Sequence, residues 1–215
     1  MRGLATALAA SALLALSATG ASAQNLDARL ERAFFGGESA VSTDLRRVPF
    51  WTALLAREGV EPRVQSSDWS DDPLAAARAI NAAINRAPYV ADEGDQWLTT
   101  QELLRRGGDC EDYASAKYFA LRAAGAPAHA LRIAIVADEQ TGQRHAILLM
   151  AVGGEILALD NLSDVVASAA SLSHYRPLLA LNEEQWWFAD EGIRRPPLRA
   201  SAALPLNSAR AASAR

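Results

Sequence analysis

Apolar positions in the first part of the chain recur at the three- and four-residue spacing that is typical of amphipathic helices. One such stretch begins at Leu26 and ends at the glycine pair Gly36 and Gly37. Later stretches begin at Pro73, because proline suits the first position of a helix, and at a capping-box sequence that starts with Thr99. The pattern predicts helices over residues 26–37, 44–57, 73–86, 99–106 and 110–124.

The period of the apolar positions changes in the second part of the chain. Strand-like runs predict β-strands over residues 131–137, 145–152, 155–160 and 175–181. Gly153 and Gly154 form the two-residue turn of a β-hairpin, and residues 163–171 are helical or turn-like. Because the helices come first and the strands follow, we predict an α+β fold with N-terminal helices and an antiparallel β-sheet.

The two ends of the chain differ from this central part. A positively charged start and a run of mostly alanine and leucine precede the Ala-Ser-Ala sequence at residues 21–23, which is the cleavage pattern of a secretory signal peptide. Since the apolar run is short for a bilayer, residues 1–23 predict a cleaved signal peptide, export, and no membrane span after cleavage. The folded domain is predicted over residues 24–193, with a disordered tail over 194–215.

The composition narrows the classes of function. The 215 residues carry a net charge of −4, so no basic surplus is available to neutralise phosphates and nucleic-acid binding is not expected. Half of the residues are hydrophobic and 21% are charged, which is ordinary for a globular domain and excludes a disordered chain. Cys110 is the single cysteine, so an intramolecular disulfide is impossible. An unpaired thiol in an exported protein is either buried and inert or has a chemical role.

Cys110 is predicted to open a helix directly after Gly107 and Gly108. The N-terminus of a helix carries partial positive charge and free N–H groups, which favour the nucleophilic thiolate and can stabilise an oxyanion. The glycines leave room for the backbone of a substrate. We therefore predict Cys110 as a nucleophile, and Gly107 and Gly108 as one wall of a substrate groove. The alternative is that the glycines only end the preceding helix.

The predicted hairpin brings a histidine and an aspartate together. With the two glycines as the turn, Asp160 lies opposite Ile147. His145 is two residues from Ile147 and shares its face, so the imidazole is within reach of the Asp160 carboxylate. A carboxylate that holds one imidazole nitrogen fixes the tautomer, and the other nitrogen can then face a thiol. Cys110, His145 and Asp160 are therefore the predicted catalytic residues.

Several motifs resemble those of the bacterial transglutaminase-like cysteine proteases. They are WLTT at 97–100, GGDCEDYA at 107–114, KYFALR at 117–122, RHA at 144–146 and LDNL at 159–162. The resemblance covers about residues 44–190 and implies a papain-like, transglutaminase-type core with a Cys-His-Asp triad. It also implies a periplasmic, calcium-dependent endopeptidase that cleaves a large secreted repeat adhesin and so controls biofilm attachment. The implied sequestering partner is the periplasmic domain of an inner-membrane cyclic-di-GMP receptor.

Acidic residues crowd the predicted nucleophile. Asp109, Glu111 and Asp112 lie beside Cys110, and their carboxylates should raise the pKa of its thiol. A divalent cation would reverse that effect, and carboxylate oxygens suit calcium. Together with the implied calcium dependence, this makes the three acids the predicted calcium ligands. The alternative is that they only favour the start of the helix. The three histidines and one cysteine are too far apart in sequence to predict zinc.

Trp97 lies 13 residues before Cys110, and in transglutaminase-like folds an upstream polar or aromatic side chain can help to form the oxyanion hole. Trp97 is therefore predicted to bind substrate, with a core tryptophan as the alternative. Two other functions stay open. Transglutaminase- or deamidase-type acyl transfer uses the same thioester as hydrolysis. A non-catalytic binding module would keep the fold alone, but the intact Cys110, His145 and Asp160 argue against it.

Overall fold

The computed structural model describes residue 30 and residues 39–59, 72–91 and 96–189. The predicted signal peptide over 1–23 and the predicted tail over 194–215 lie outside the described residues, as does the helix predicted over 26–37 apart from Leu30. No helix in the described ranges is long and apolar enough to cross a membrane.

The described residues contain four α-helices, which begin where the local sequence favours a helix start. They are α1 (Pro49–Glu58), α2 (Pro73–Ile84), α3 (Thr100–Arg106) and α4 (Cys110–Ala123). The Asp72 side chain caps α2, and Thr99 and Glu102 form the predicted capping box of α3. The first of these helices starts later than the pattern predicts. Residues 45–47 form a short 3₁₀-helix, and Pro49 then takes the first position of α1.

A seven-stranded antiparallel sheet, in the order β1-β7-β6-β2-β3-β4-β5, confirms the predicted α+β class. Its strands are β1 (Ser39–Ser42), β2 (Leu131–Asp138), β3 (Gln143–Val152), β4 (Glu155–Leu159), β5 (Ala167–Ser168), β6 (Tyr175–Leu181) and β7 (Trp186–Ala189). The sequence pattern does not predict β1, β5 and β7, because two to four residues are too few for a clear alternation. The strand β5 lies within residues 163–171, which were predicted to be helical or turn-like.

The β3–β4 hairpin has the predicted register. Val152 pairs with Glu155, and the ladder continues to Leu148 opposite Leu159. Gly153 and Gly154 have φ angles of 56° and 86°, which suit the left-handed turn of a two-residue hairpin. β4 therefore ends one residue before Asp160, close to the start of β3.

Helix α4 lies between the sheet and the other helices. Residues 110–119 are buried without a break. The side of α4 that carries Tyr118 and Leu121 packs with apolar residues of β2 and β3, and the side that carries Tyr113 and Ala116 packs with α2 and α3. This packing sets the first residue of α4 against the beginning of β3. The opposite face of the sheet is also buried, and Leu30 belongs to that second core.

Candidate active site

The start of α4 is held by hydrogen bonds to one carboxylate. Asp112 Oδ2 accepts a hydrogen bond from the Asp109 amide at 3.1 Å, as a residue in the first turn of a helix can. Asp112 Oδ1 accepts from the Leu98 amide at 2.7 Å and so ties the segment before α3 to the same group. Cys110 lies between Asp109 and Asp112 in the sequence, and only 3% of its surface is exposed. Its position is therefore defined by the helix start and by the preceding loop.

The Cys110 sulfur is contacted by groups with opposite effects on its pKa. Its Sγ donates to Glu111 Oε2 at 3.4 Å and lies within hydrogen-bonding reach of the Ala146 amide in β3. Burial raises the pKa of the thiol well above its usual value, and the Glu111 and Asp109 carboxyls raise it further, whereas the Ala146 amide lowers it. The predicted direction of the shift is confirmed, and the thiol is protonated at neutral pH.

His145 and Asp160 form the hydrogen bond that the hairpin register predicts. His145 Nε2 lies 2.8 Å from Asp160 Oδ1, and both residues are buried. Burial raises the pKa of Asp160, but the hydrogen bond and electrostatic contact with His145, the Leu162 amide and the Tyr175 hydroxyl together hold it below its usual value. Asp160 is therefore an anion that holds His145 by Nε2 and leaves Nδ1 for proton exchange. Ala146, whose amide reaches the Cys110 sulfur, directly follows His145 in β3.

Two groups around Asp160 are absent from the sequence-based prediction. The Tyr175 hydroxyl donates to Asp160 Oδ2 at 2.8 Å. Asn85, next to the end of α2, donates through Nδ2 to the Asp160 and Ser163 carbonyls and to Asp164 Oδ1, at 3.1, 3.0 and 2.9 Å. Both contacts join segments that are far apart in sequence. The sequence predicts that a strand starts at Tyr175, but this pattern does not indicate which side chain the Tyr175 hydroxyl contacts.

The packing around Gly107 and Gly108 gives both glycines a structural role besides the predicted one as a wall of the substrate groove. A Cβ at Gly107, where φ is +82°, would lie 2.4 Å from the Pro88 carbonyl oxygen, and a Cβ at Gly108 would lie 2.2 Å from Asp112 Oδ2. Both glycines are therefore required by close contacts inside the protein. A larger residue at Gly108 is therefore expected to lower stability and activity together, and the groove-wall role stays a prediction.

Trp97 packs in an aromatic core. Its ring lies 4.8 Å from Phe50 and 5.9 Å from Trp51, measured between ring centroids. Only 6% of Trp97 is exposed, and its carbonyl accepts a hydrogen bond from Arg57 at 3.0 Å. These contacts correspond to the core tryptophan that was the alternative to a substrate-binding role.

The three predicted calcium ligands differ in their surroundings. The Asp109 and Glu111 carboxyls form a hydrogen bond with each other. Burial, followed by this contact and the charges of Asp109 and Asp112, raises the pKa of Glu111 well above its usual value. Both oxygens of Asp112 bind backbone amides. No group of three or more histidine, cysteine or acidic residues is arranged around a cation position within the described ranges. Two buried carboxyls in contact nevertheless fit a divalent cation, because such a pair holds either a shared proton or a cation.

A sequence profile of the family described as bacterial transglutaminase-like cysteine proteinases (BTLCP) matches residues 59–190. No curated protein matches the chain.

Solved structures of Legionella pneumophila LapG share the fold. The calcium-bound form is 27% identical with a TM-score of 0.52, and the match covers 69% of this chain and 81% of that one. A second LapG structure is 28% identical, also with a TM-score of 0.52, covering 67% and 77%. An EGTA-treated form is 27% identical with a TM-score of 0.51, again covering 67% and 77%.

Proposed function

Because the chain belongs to the bacterial transglutaminase-like cysteine proteinase family, we propose that it is an exported, calcium-dependent endopeptidase with Cys110, His145 and Asp160 as its catalytic triad. The family makes the chain a cysteine protease. The observation that carries the triad is the 2.8 Å contact between His145 and Asp160, next to the Ala146 amide that reaches the Cys110 sulfur.

In the proposed reaction, His145 Nδ1 accepts the proton of the Cys110 thiol, and the Asp160 anion stabilises the imidazolium that forms. The thiolate attacks the carbonyl carbon of the scissile peptide, and N–H groups in the first turn of α4 stabilise the oxyanion. The C–N bond breaks as His145 returns the proton to the leaving amine, which leaves a thioester on Cys110. Water then loses a proton to His145 and attacks the thioester, and collapse returns that proton to the sulfur.

Calcium is proposed to bind at Asp109 and Glu111. Their buried, mutually bonded carboxyls support this assignment, and the relative LapG has a calcium-bound structure. The cation would supply positive charge that neutralises two carboxyls beside the thiol. Asp112 can be a third ligand only if it releases one of its two backbone amides.

The proposed location is the periplasm, and the proposed substrate is a large secreted repeat adhesin whose cleavage controls biofilm attachment. The signal-peptide pattern of residues 1–23 supports export. The motifs around Cys110, His145 and Asp160 support the substrate class through the family resemblance. The proposed sequestering partner is the periplasmic domain of an inner-membrane cyclic-di-GMP receptor, which would limit the access of the protease to the adhesin.

The test is cleavage of the N-terminal region of such an adhesin by the purified protein in calcium, in excess EGTA, and in EGTA followed by excess calcium. We expect cleavage, loss of cleavage and recovery, respectively. Full cleavage after complete metal removal would contradict the calcium requirement. Failure to cleave the adhesin in any condition would contradict the substrate assignment. Cys110→Ala protein, measured in parallel, excludes a contaminating protease.

The same experiment separates hydrolysis from acyl transfer. A labelled primary amine is added to the calcium reaction, and its incorporation at glutamine side chains is measured beside peptide cleavage. We expect cleavage with no incorporation, because the proposed acceptor of the thioester is water. Incorporation without cleavage would assign the thioester to transglutaminase chemistry instead.

A further inference from the structure

The Asp160 carboxylate is held by three donors from three parts of the chain. Oδ1 lies 2.8 Å from His145 Nε2 and accepts the Leu162 amide at 2.9 Å. Oδ2 accepts the Tyr175 hydroxyl at 2.8 Å. The oxygen that does not bind histidine is therefore held by a side chain on another strand.

Tyr175 is carried by the sheet that also carries His145. It opens β6 and pairs with Asp138 of β2, and β2 in turn places Val136 opposite His145. The Tyr175 amide donates to the Leu172 carbonyl at 3.0 Å, which fixes the backbone where the strand begins. The Tyr175 and His145 rings lie 5.5 Å apart between centroids. The phenol therefore approaches Asp160 from a rigid element, and its direction is set by strand pairing.

We propose that Tyr175 is a positioning residue of the protease, and that its hydroxyl holds the Asp160 carboxylate in the orientation that binds His145. The proposal rests on the triad of the proposed function, because it needs Asp160 to act in catalysis. Tyr175 does not touch the peptide in this proposal; it acts through Asp160.

The chemical reason is that an anionic carboxylate needs donors on both oxygens when it is buried. Without the phenol, Asp160 Oδ2 would lose its charge-assisted hydrogen bond in a site with little access to water. The carboxylate would then rotate towards other donors, and its hold on His145 Nε2 would weaken. Asp160 would then stabilise the imidazolium that forms during the reaction less well. Because the imidazolium is absent from the bound ground state, kcat changes more than KM.

The first test is Tyr175→Phe, which removes the hydroxyl and keeps the ring. We expect kcat for peptide cleavage to fall about tenfold, the size expected for one charge-assisted hydrogen bond acting on the transition state, with KM within about twofold. An unchanged kcat would overturn the proposal.

The matched control is Tyr118→Phe. Tyr118 is also a buried tyrosine whose hydroxyl donates to a carboxylate, that of Glu183, at 3.2 Å. This variant loses the same kind of hydrogen bond away from Asp160, so we expect a lower Tm and an unchanged kcat. If Tyr175→Phe and Tyr118→Phe lowered kcat by the same factor at the same loss of Tm, the effect would be one of stability and the positioning role would be wrong.

The second test asks whether Tyr175 acts through Asp160. In an Asp160→Ala background, Tyr175→Phe should change the residual rate by less than about twofold, because the group that it positions is gone. A further tenfold loss in that background would overturn the proposal. The rate at which Cys110 reacts with iodoacetamide gives a second measure of the coupling between Tyr175 and Asp160. It is measured in the unmodified protein, Tyr175→Phe, Asp160→Ala and the double variant, and it stays measurable when peptide cleavage is slow.

A pH profile provides a readout that a purely structural role would not move. His145 and Tyr175 are the ionisable side chains that contact Asp160. The charges of Cys110 and Asp138 contribute to the raised pKa of Tyr175 itself. Loss of the phenol donor raises the proton affinity of Asp160, so the acidic limb of kcat should move to higher pH in Tyr175→Phe. An unshifted limb together with an unchanged kcat would exclude the role. If Cys110→Ala protein still cleaved the peptide, the triad itself would fail, and that failure is separate from every result above.

Discussion

Asp160 and Glu111 are two carboxyl groups with nearly the same burial and opposite proton affinities. Only 7% of Asp160 and 6% of Glu111 is exposed. The pKa of Asp160 is lowered because hydrogen-bond donors from His145, Leu162 and Tyr175 outweigh its burial. The pKa of Glu111 is raised because burial acts first and its nearest partner, Asp109, is another acid. The partner of a buried acid therefore decides its charge, and burial alone does not.

This difference divides the site into two halves with different requirements. In the half around Asp160 the protein itself supplies every partner of the carboxylate, since each carboxylate oxygen accepts a hydrogen bond from a protein group. The Glu111 half holds a thiol and two carboxyls that oppose ionisation of one another. In the proposed mechanism the imidazole of the first half accepts the thiol proton without added charge. The proposed calcium ion would act on the Glu111 half alone.

The largest effect is expected where the two halves meet. Cys110→Ala and His145→Ala should each abolish peptide cleavage, because one removes the nucleophile and the other removes the base. Asp160→Ala should be the least severe of the three, because Asp160 orients and stabilises without reacting. Cleavage of the adhesin fragment, with circular dichroism to confirm folding, measures all three. Cleavage by the Cys110→Ala variant would contradict the triad.

The geometry of the Glu111 half is tested by Gly108→Ala. The new Cβ would lie 2.2 Å from Asp112 Oδ2, so Asp112 must give up its hold on the Asp109 amide. We expect a loss of about 1–3 kcal/mol in the free energy of unfolding, with lower activity. Gly142→Ala is the control, because its φ is +72° and nothing lies near the added methyl; it should cost about 1 kcal/mol and leave activity unchanged. Normal stability with lost cleavage would support the groove-wall role of Gly108.

The opposite pKa shifts predict opposite signs in the dependence of stability on pH. Asp160 has a lowered pKa, so its contribution is present above the pKa of the unfolded chain and is lost as pH falls through the folded value. Glu111 has a raised pKa, so its ionisation costs stability that acid restores. In chelator at pH 7, Asp160→Asn should destabilise by about 1–3 kcal/mol, and Glu111→Gln should stabilise by up to about 1 kcal/mol.

Urea titrations at pH 7 and in mild acid measure both variants. The stabilisation by Glu111→Gln should shrink in acid, because the unfolded chain then also holds the proton that the raised pKa favours in the folded protein. If Glu111→Gln were destabilising at pH 7 in chelator, the two carboxyls would not differ in the way described.

The smallest effect is expected at the outer support of the Asp160 half. Asn85→Ala removes the amide that binds the Asp160 and Ser163 carbonyls, so it should cost about 1 kcal/mol and lower kcat only a few-fold. Asn81→Ala is a useful comparison, since Asn81 binds Ser163 at 2.9 Å without binding Asp160. A larger kcat loss in Asn81→Ala than in Asn85→Ala would place the important contact at Ser163.

Local features of the sequence predict one part of the site and miss another. The start of α4 at Cys110 follows from the helix pattern after two glycines, and the His145–Asp160 contact follows from a two-residue turn that sets the register of both strands. Tyr175 depends on the pairing of β6 with β2, whose register shifts between Ile135 and Val136. No local pattern encodes such a shift, because it results from packing between strands about forty residues apart.

The glycines before Cys110 show the same limit on a shorter scale. The sequence indicates small residues at Gly107 and Gly108, but the neighbours that require them, Pro88 and Asp112, are known only from the fold. A glycine next to a nucleophile has the same pattern whether it faces a substrate or another part of the protein. Trp97 is a similar case, since an aromatic residue upstream of the cysteine is equally compatible with a core position.

The unbroken burial of residues 110–119 has a consequence for the dynamics of the nucleophile. Amides in such a helix exchange with deuterium only when the whole domain opens, so the α4 backbone should belong to the most slowly exchanging class. Rotamer changes of single side chains at the same residues do not require such global opening. The reactivity of Cys110 can therefore change while its backbone stays still, through the rotamers of neighbouring side chains alone. An activator of this enzyme would leave the exchange rates of α4 almost unchanged even as the rate of thiol alkylation increased.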